Sequence, residues 1–222
     1  MKNNIGLMKH CYSKLGVNYL YASKGEVATE QKINMWAKMY PSYYTHTRLK
    51  KAMKMKGSLA TDCSGLISWY TGIMRGSQGY YDTAVKRGSI KDIPERVGVA
   101  VWRKGHIGVY VGFGLVVEAK GIDYGVVVTK LKDGNWTHWL QLKDIAYFDY
   151  EPEYKINKNS KRTDVAFLQT TLNTKGYNLN VDGIYGTKTA QAVLDFWNKY
   201  GWSIKGQTGY SVGKDTIKAL EK

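Results

Sequence analysis

"ATDCSGLISWY", residues 60–70, holds one of only two cysteines in the 222-residue chain. Leu66, Ile67, Tyr70 and Ile73 recur three or four apart, the spacing of an apolar helix face. That spacing predicts a helix beginning at Cys63, with Asp62 as its N-cap. Cys63 therefore stands at the polar start of the helix and outside its apolar stripe. A cysteine that only filled core would suit the middle of that stripe better. The partial positive charge at a helix N-terminus lowers a thiol pKa, so Cys63 is expected to be a nucleophile.

A thiol nucleophile needs a base, and the chain has four histidines. His10 lies beside Cys11 in an amphipathic helix marked by Ile5, Met8, Tyr12 and Leu15. His46 lies in an aromatic loop, and His138 lies between two tryptophans. His106 opens a strand in "GHIGVYVG" (105–112), where neighbouring glycines leave room for a substrate backbone, and is best placed. A base in turn needs a group that fixes its tautomer. Glu118 sits in "GLVVEAKG" (114–121), an apolar strand in which an unpaired carboxylate is costly. It either orients His106 or points to solvent from a strand edge.

Further out, short helical patterns appear at Ile33-Trp36-Met39 and Leu49-Met53, and "RLKKAMKMK" (48–56) looks like a solvated basic helix face. From Val97 the period changes to two. Strands are expected around Val97–Val101 and Ile107–Val111, at 114–121 and 125–130, and finally in "IAYFDY" (145–150). Helices followed by an antiparallel meander make residues 1–150 an α+β domain. Residues 151–160, polar and without period, are expected to form a linker. Helical spacing returns at Val165-Leu168-Leu172, at Ala190-Val193-Leu194-Trp197 and at Ile217-Leu220. Residues 161–222 should thus form a small all-α module of three helices.

The net charge is +15 and the pI about 9.6. Both halves of the chain share the excess, and most of the cations are lysine. This favours a large anionic partner, nucleic acid or an envelope rich in anionic polymers. No base-reading motif accompanies the charge. The apolar runs are too short to span a bilayer, and "MKNNIGLMKHCYSK" lacks the continuous apolar run of a secretory leader. Two cysteines are too few for a disulfide scaffold. No HExxH or paired Cys/His spacing suggests a metal.

"TDCSGLISWY" followed by "GHIGVYVG" resembles the NlpC/P60 family of papain-like cell-wall cysteine peptidases, over most of residues 3–150. The resemblance implies a papain-like fold with Cys63 as nucleophile and His106 as base. Glu118 falls at the third position, where many members have histidine. It also implies substrate anchoring by Asp62 and Ser64, and a tyrosine assisting at the oxyanion from a Tyr-x-x-Gly-Gly stretch. Here "NYLYAS" (18–23) offers Tyr19, with Tyr21 as rival, and replaces the two glycines by Ala22 and Ser23. Trp36, Tyr40, Tyr43 and Tyr44, in a segment longer than the family core needs, either line the groove or pack that insertion. "VAFLQTTLNTKGYNLNVDGIYGTKTAQAVLDF" (165–196) resembles a three-helix peptidoglycan-binding domain, in which Tyr185 either stacks on sugar or closes the core.

Together these resemblances imply a cofactor-free hydrolase that cuts an amide bond in the peptidoglycan stem peptide, between D-glutamate and a diamino acid. Anionic wall polymers would be an added partner, with no nucleic acid and no membrane insertion. A wall hydrolase without a leader resembles a phage endolysin, held in the host cytoplasm until release. The alternatives are a CHAP-like Cys-His amidase or cross-bridge endopeptidase, and a non-catalytic wall-binding protein with a vestigial Cys63.

Overall fold

The computed structural model describes residues 1–149 and 155–221. They form two compact units divided at residues 149 and 150. Among the described residues, no helix is long and apolar enough to cross a membrane.

The first unit begins with α1 (Asn4–Ser13), capped by the Asn3 side chain, which accepts from the Gly6 N–H. Strand β1 (Lys24–Val27) pairs antiparallel with β2 (Leu59–Thr61). Between them lies an excursion carrying α2 (Glu30–Met39) and α3 (His46–Lys54). Helix α3 buries Ala52 and leaves Arg48, Lys50 and Lys54 exposed, as its basic face predicts. Helix α4 (Cys63–Thr71) follows β2 almost directly. Next come α5 (Ser77–Asp82) and β3 (Lys86–Ser89). The remaining strands are β4 (Ala100–Arg103), β5 (His106–Gly112), β6 (Leu115–Gly121), β7 (Gly125–Lys130) and β8 (His138–Gln141).

Strands β4 to β7 form the expected meander. Strand β8 then returns to pair with β4, and β3 adds outside it, giving the order β3-β8-β4-β5-β6-β7. Helices α1 and α4 pack on β5 and β6. Val99, Val101, Tyr110, Val116, Trp136 and Trp139 form a buried cluster against the sheet. This is an α+β unit with an antiparallel sheet, as expected.

Two strand expectations are corrected. "IAYFDY" is no strand over its described part: residue 146 makes only an isolated bridge to Asn3. The Tyr147 hydroxyl accepts from the Leu142 N–H across this turn, so its aromatic side chain serves a loop. Residue 150 lies outside the described residues. The strand read from Val97 starts only at Ala100, although the Val99 carbonyl still accepts from the Tyr110 N–H.

The second unit holds β9 (Ile156–Asn157), α6 (Arg162–Thr174), α7 (Thr187–Lys199), β10 (Ser211–Val212) and α8 (Lys214–Glu221). The three helices lie where their apolar spacing put them. The linker expected over 151–160 needs correction at its far end. Ile156 is fully buried, and β9 pairs antiparallel with β10, so this stretch belongs to the fold. Residues 151–154 lie outside the described residues.

Candidate active site

The start of α4 explains the order Asp-Cys-Ser-Gly. Asp62 Oδ1 accepts from the Gly65 N–H at 2.6 Å and from Ser64 Oγ at 2.9 Å, which caps the first turn. The turn is pressed onto the segment before β1. A Cβ at position 65 would lie 2.2 Å from the Ser23 carbonyl oxygen, so only glycine fits. Asp62 Oδ2 accepts from the Ala22 N–H at 2.9 Å. Ala22 sits at φ +75°, a left-handed conformation costing about 1–2 kcal/mol in a residue with a Cβ. A glycine at this position would take it without strain.

The same carboxylate holds a residue that sequence reasoning missed. Lys24 Nζ is 3.0 Å from both Asp62 oxygens and donates to Ser64 Oγ at 2.9 Å. Only 17% of the Lys24 side chain is exposed, and 6% of that of Asp62. Its one sequence signal was a cation at the start of β1, with nothing there to name its partner. Asp62 and Ser64, expected to anchor substrate, are buried and engaged inside the chain.

Cys63 is 7% exposed. Burial, then the Asp62 carboxylate, push its thiol up to about 12. The Ile107 N–H, the Lys24 ammonium and the Ser64 N–H pull the other way without prevailing. The expected lowering by the helix end is thus overturned. Asp62 offsets the positive end of α4, and desolvation does the rest. The backbone of Ile107, the residue after His106, lies beside the thiol.

His106 Nε2 lies 2.6 Å from Glu118 Oε2. The pairing of Val109 with Val117 sets β5 and β6 in the register that brings the two together. Thr129 Oγ1, on β7, donates to Glu118 Oε1 at 2.6 Å. Burial by itself would raise the Glu118 carboxyl; the hydrogen bonds from His106 and Thr129 outweigh it and hold the group below its ordinary value. An ionised carboxylate only accepts, so in the neutral ring Nε2 carries the proton and Nδ1 the lone pair. Trp136 stacks on the imidazole with ring centroids 5.3 Å apart and planes 13° apart. A side chain at Gly108 would strike Val116 and crowd Trp136 and Glu118. That glycine thus makes room for the site's own residues. The sequence named neither Thr129 nor Trp136.

Tyr19 is buried; desolvation raises its hydroxyl pKa, reinforced by the neighbouring Cys63 and Tyr43. Tyr21 is more exposed, stacks on Tyr43 at 4.7 Å and meets the edge of Tyr40 at 5.0 Å. Of the insertion's aromatics, Trp36 and Tyr44 are buried, and the Tyr44 hydroxyl donates to the Tyr21 carbonyl at 2.8 Å. Tyr40 and Tyr43 remain half-buried at the Tyr21 end of the site.

The other candidates stand apart from this group. His10 meets the rings of Trp69 and Tyr70, and burial, then Lys14, push its pKa down to about 4. His138 lies beside Trp102 and Tyr81. Tyr185, in the second unit, is buried and its hydroxyl donates to the Gly209 carbonyl at 2.7 Å, as a residue closing the core would. Among the described residues, no group of three or more His, Cys, Asp or Glu could hold a metal ion.

Residues 161–220 match the family model described as "Putative peptidoglycan binding domain". No curated protein matches the chain in sequence. Among solved structures, the chain is similar to the peptidoglycan hydrolase RipB from Mycobacterium tuberculosis, at 17% identity and TM-score 0.42, over 64% of this chain and 65% of that one. A peptidoglycan-binding protein from Clostridioides difficile aligns at 21% identity and TM-score 0.30, over 54% and 61%. The P60 domain of a Mycobacterium avium subspecies paratuberculosis antigen aligns at 20% and 0.42, over 64% and 95%. The chain thus spans less than two thirds of the first two structures.

Proposed function

We propose that this chain is a peptidoglycan hydrolase of the NlpC/P60 type, cutting an amide bond of the stem peptide through Cys63, His106 and Glu118. The observation that carries this is the 2.6 Å bond between His106 Nε2 and Glu118, next to Ile107, whose backbone favours the Cys63 thiolate. With Nε2 committed to the carboxylate, Nδ1 is left to take the thiol proton. Cys63 attacks the scissile carbonyl as that proton moves, and Glu118 stabilises the imidazolium. First-turn N–H groups of α4 and the Tyr19 hydroxyl are the donors for the oxyanion. His106 then protonates the leaving amine, and water attacks the thioester. The buried thiol, held at about 12, makes this coupled transfer a better account than a preformed thiolate.

Residues 161–220 supply wall attachment, supported by their family match and by the positive charge of the whole chain. Attachment raises the local concentration of scissile bonds. Storage in a host cytoplasm before release, as for an endolysin, belongs to the same proposal. The acidic third residue also suits a CHAP-like enzyme cutting at the sugar–peptide junction or a cross-bridge. Digestion of purified wall with identification of the newly exposed N-terminal residue separates the two. A new diamino-acid N-terminus is expected. A new N-terminus at the first stem residue favours the alternative, and no new terminus refutes both.

A further inference from the structure

Asp62 and Ser64 flank Cys63 in sequence, and their oxygens converge on one point. That point holds Lys24 Nζ, bound to Asp62 Oδ1, Asp62 Oδ2 and Ser64 Oγ within 3.0 Å. The three contacts match the three N–H donors of an ammonium. A buried carboxylate paired with a hydroxyl is a socket for a primary ammonium, and the free N-terminus of a peptide has the same charge and donor count. Here the chain fills the socket itself. Lys24 opens β1 in register with Thr61, so the strand pair holds its backbone beside the start of α4.

We propose that Lys24 is a specificity-determining residue that makes this site accept stem peptides whose N-terminal nitrogen is acylated and reject those with a free α-amine. The proposal deepens the hydrolase function above and rests on it. An entering ammonium would find its counter-charge taken and would meet Lys24 as a like charge. An amide nitrogen carries no charge and meets no such opposition. Intact wall, in which the stem is amide-linked to its glycan, is then the substrate. Peptides already freed from sugar by another hydrolase are excluded, so this cut precedes sugar–peptide cleavage.

The test uses the full chain and three soluble probes of one stem sequence: a sugar-linked muropeptide, the N-acetylated peptide and the free-amine peptide. The kcat/KM ratio between probes is taken within each preparation, so misfolded or slower protein leaves it unchanged. Wild type should favour both acylated probes over the free amine by about ten-fold or more. Lys24→Met should swing the ratio at least about ten-fold toward the free amine, because Asp62 is then unpaired. In Lys24→Met/Asp62→Asn the preference should vanish. Should Lys24→Met turn over nothing, the affinities of the two peptides, measured by titration calorimetry, should show the same swing. A wild-type preference for the free amine, a ratio indifferent to Lys24→Met, or a preference for the muropeptide alone overturns the proposal. Failure to cleave these probes or purified wall refutes the hydrolase function itself.

Discussion

The two cysteines of this chain are both buried thiols at helices, yet their surroundings differ completely. Cys11 lies inside α1, fully buried, and desolvation drives its pKa well above the ordinary thiol range. Cys63 stands at the first turn of α4, where a carboxylate, a lysine, a strand N–H and a tyrosine surround it. Burial raises both pKa values, so acidity does not distinguish them. What distinguishes them is the route open to the proton. Under the proposed function, Cys63 passes its proton to His106, backed by Glu118; Cys11 has beside it in sequence only His10, whose pKa burial pushes down to about 4.

The largest test of this contrast is Cys63→Ala. Lysis of wall suspensions should fall by at least about a thousand-fold, with far-UV dichroism and sedimentation with wall unchanged. Unaltered lysis would make Cys63 as inert as Cys11.

Glu118→Gln keeps the shape of the site and removes its charge. The rate should drop roughly ten- to a hundred-fold in kcat. Its stability effect has a defined pH window. The folded Glu118 pKa lies below its ordinary 4.5, so the ionised group stabilises the fold above that value, and the contribution is lost as pH falls through the folded pKa. Urea midpoints of wild type and variant should therefore differ at pH 7 and converge only as the pH falls through the lowered folded pKa of Glu118. A constant gap would mean that the carboxylate does not hold His106 through its charge.

The smallest effect on activity is expected for Cys11→Ser. Lysis should stay within about two-fold, while a hydroxyl in that dry site costs roughly 1–3 kcal/mol of stability, read by thermal unfolding. Loss of activity in a folded Cys11→Ser protein would reverse the roles of the two thiols.

Features written in neighbouring residues were legible in the sequence. The cap and apolar spacing after Asp62, and the alternation around His106 and Glu118, mark their elements in local pattern alone. Two kinds of feature were not. Lys24, Thr129 and Trp136 reach the site through tertiary packing, and local pattern carries no record of which distant side chains meet. Strand β3, "KRGS", has no apolar alternation because it is an edge strand whose cations face water. The thiol pKa failed for a related reason: a helix end and its capping carboxylate act together, and the sequence does not reveal how deeply both are buried.

The pairing of β1 with β2 brings the two ends of the α2–α3 excursion side by side, so the anchoring of those ends does not depend on the excursion's length. Lengthening or trimming that loop changes its closure entropy only slowly. The strand pair would still set Lys24 against Thr61, one residue from the N-cap of the nucleophile helix. The exposed face of α3, with Lys50 and Lys54, is therefore a natural place for grafting new recognition surfaces, with Tyr40, Tyr43 and Tyr44 kept against Tyr21.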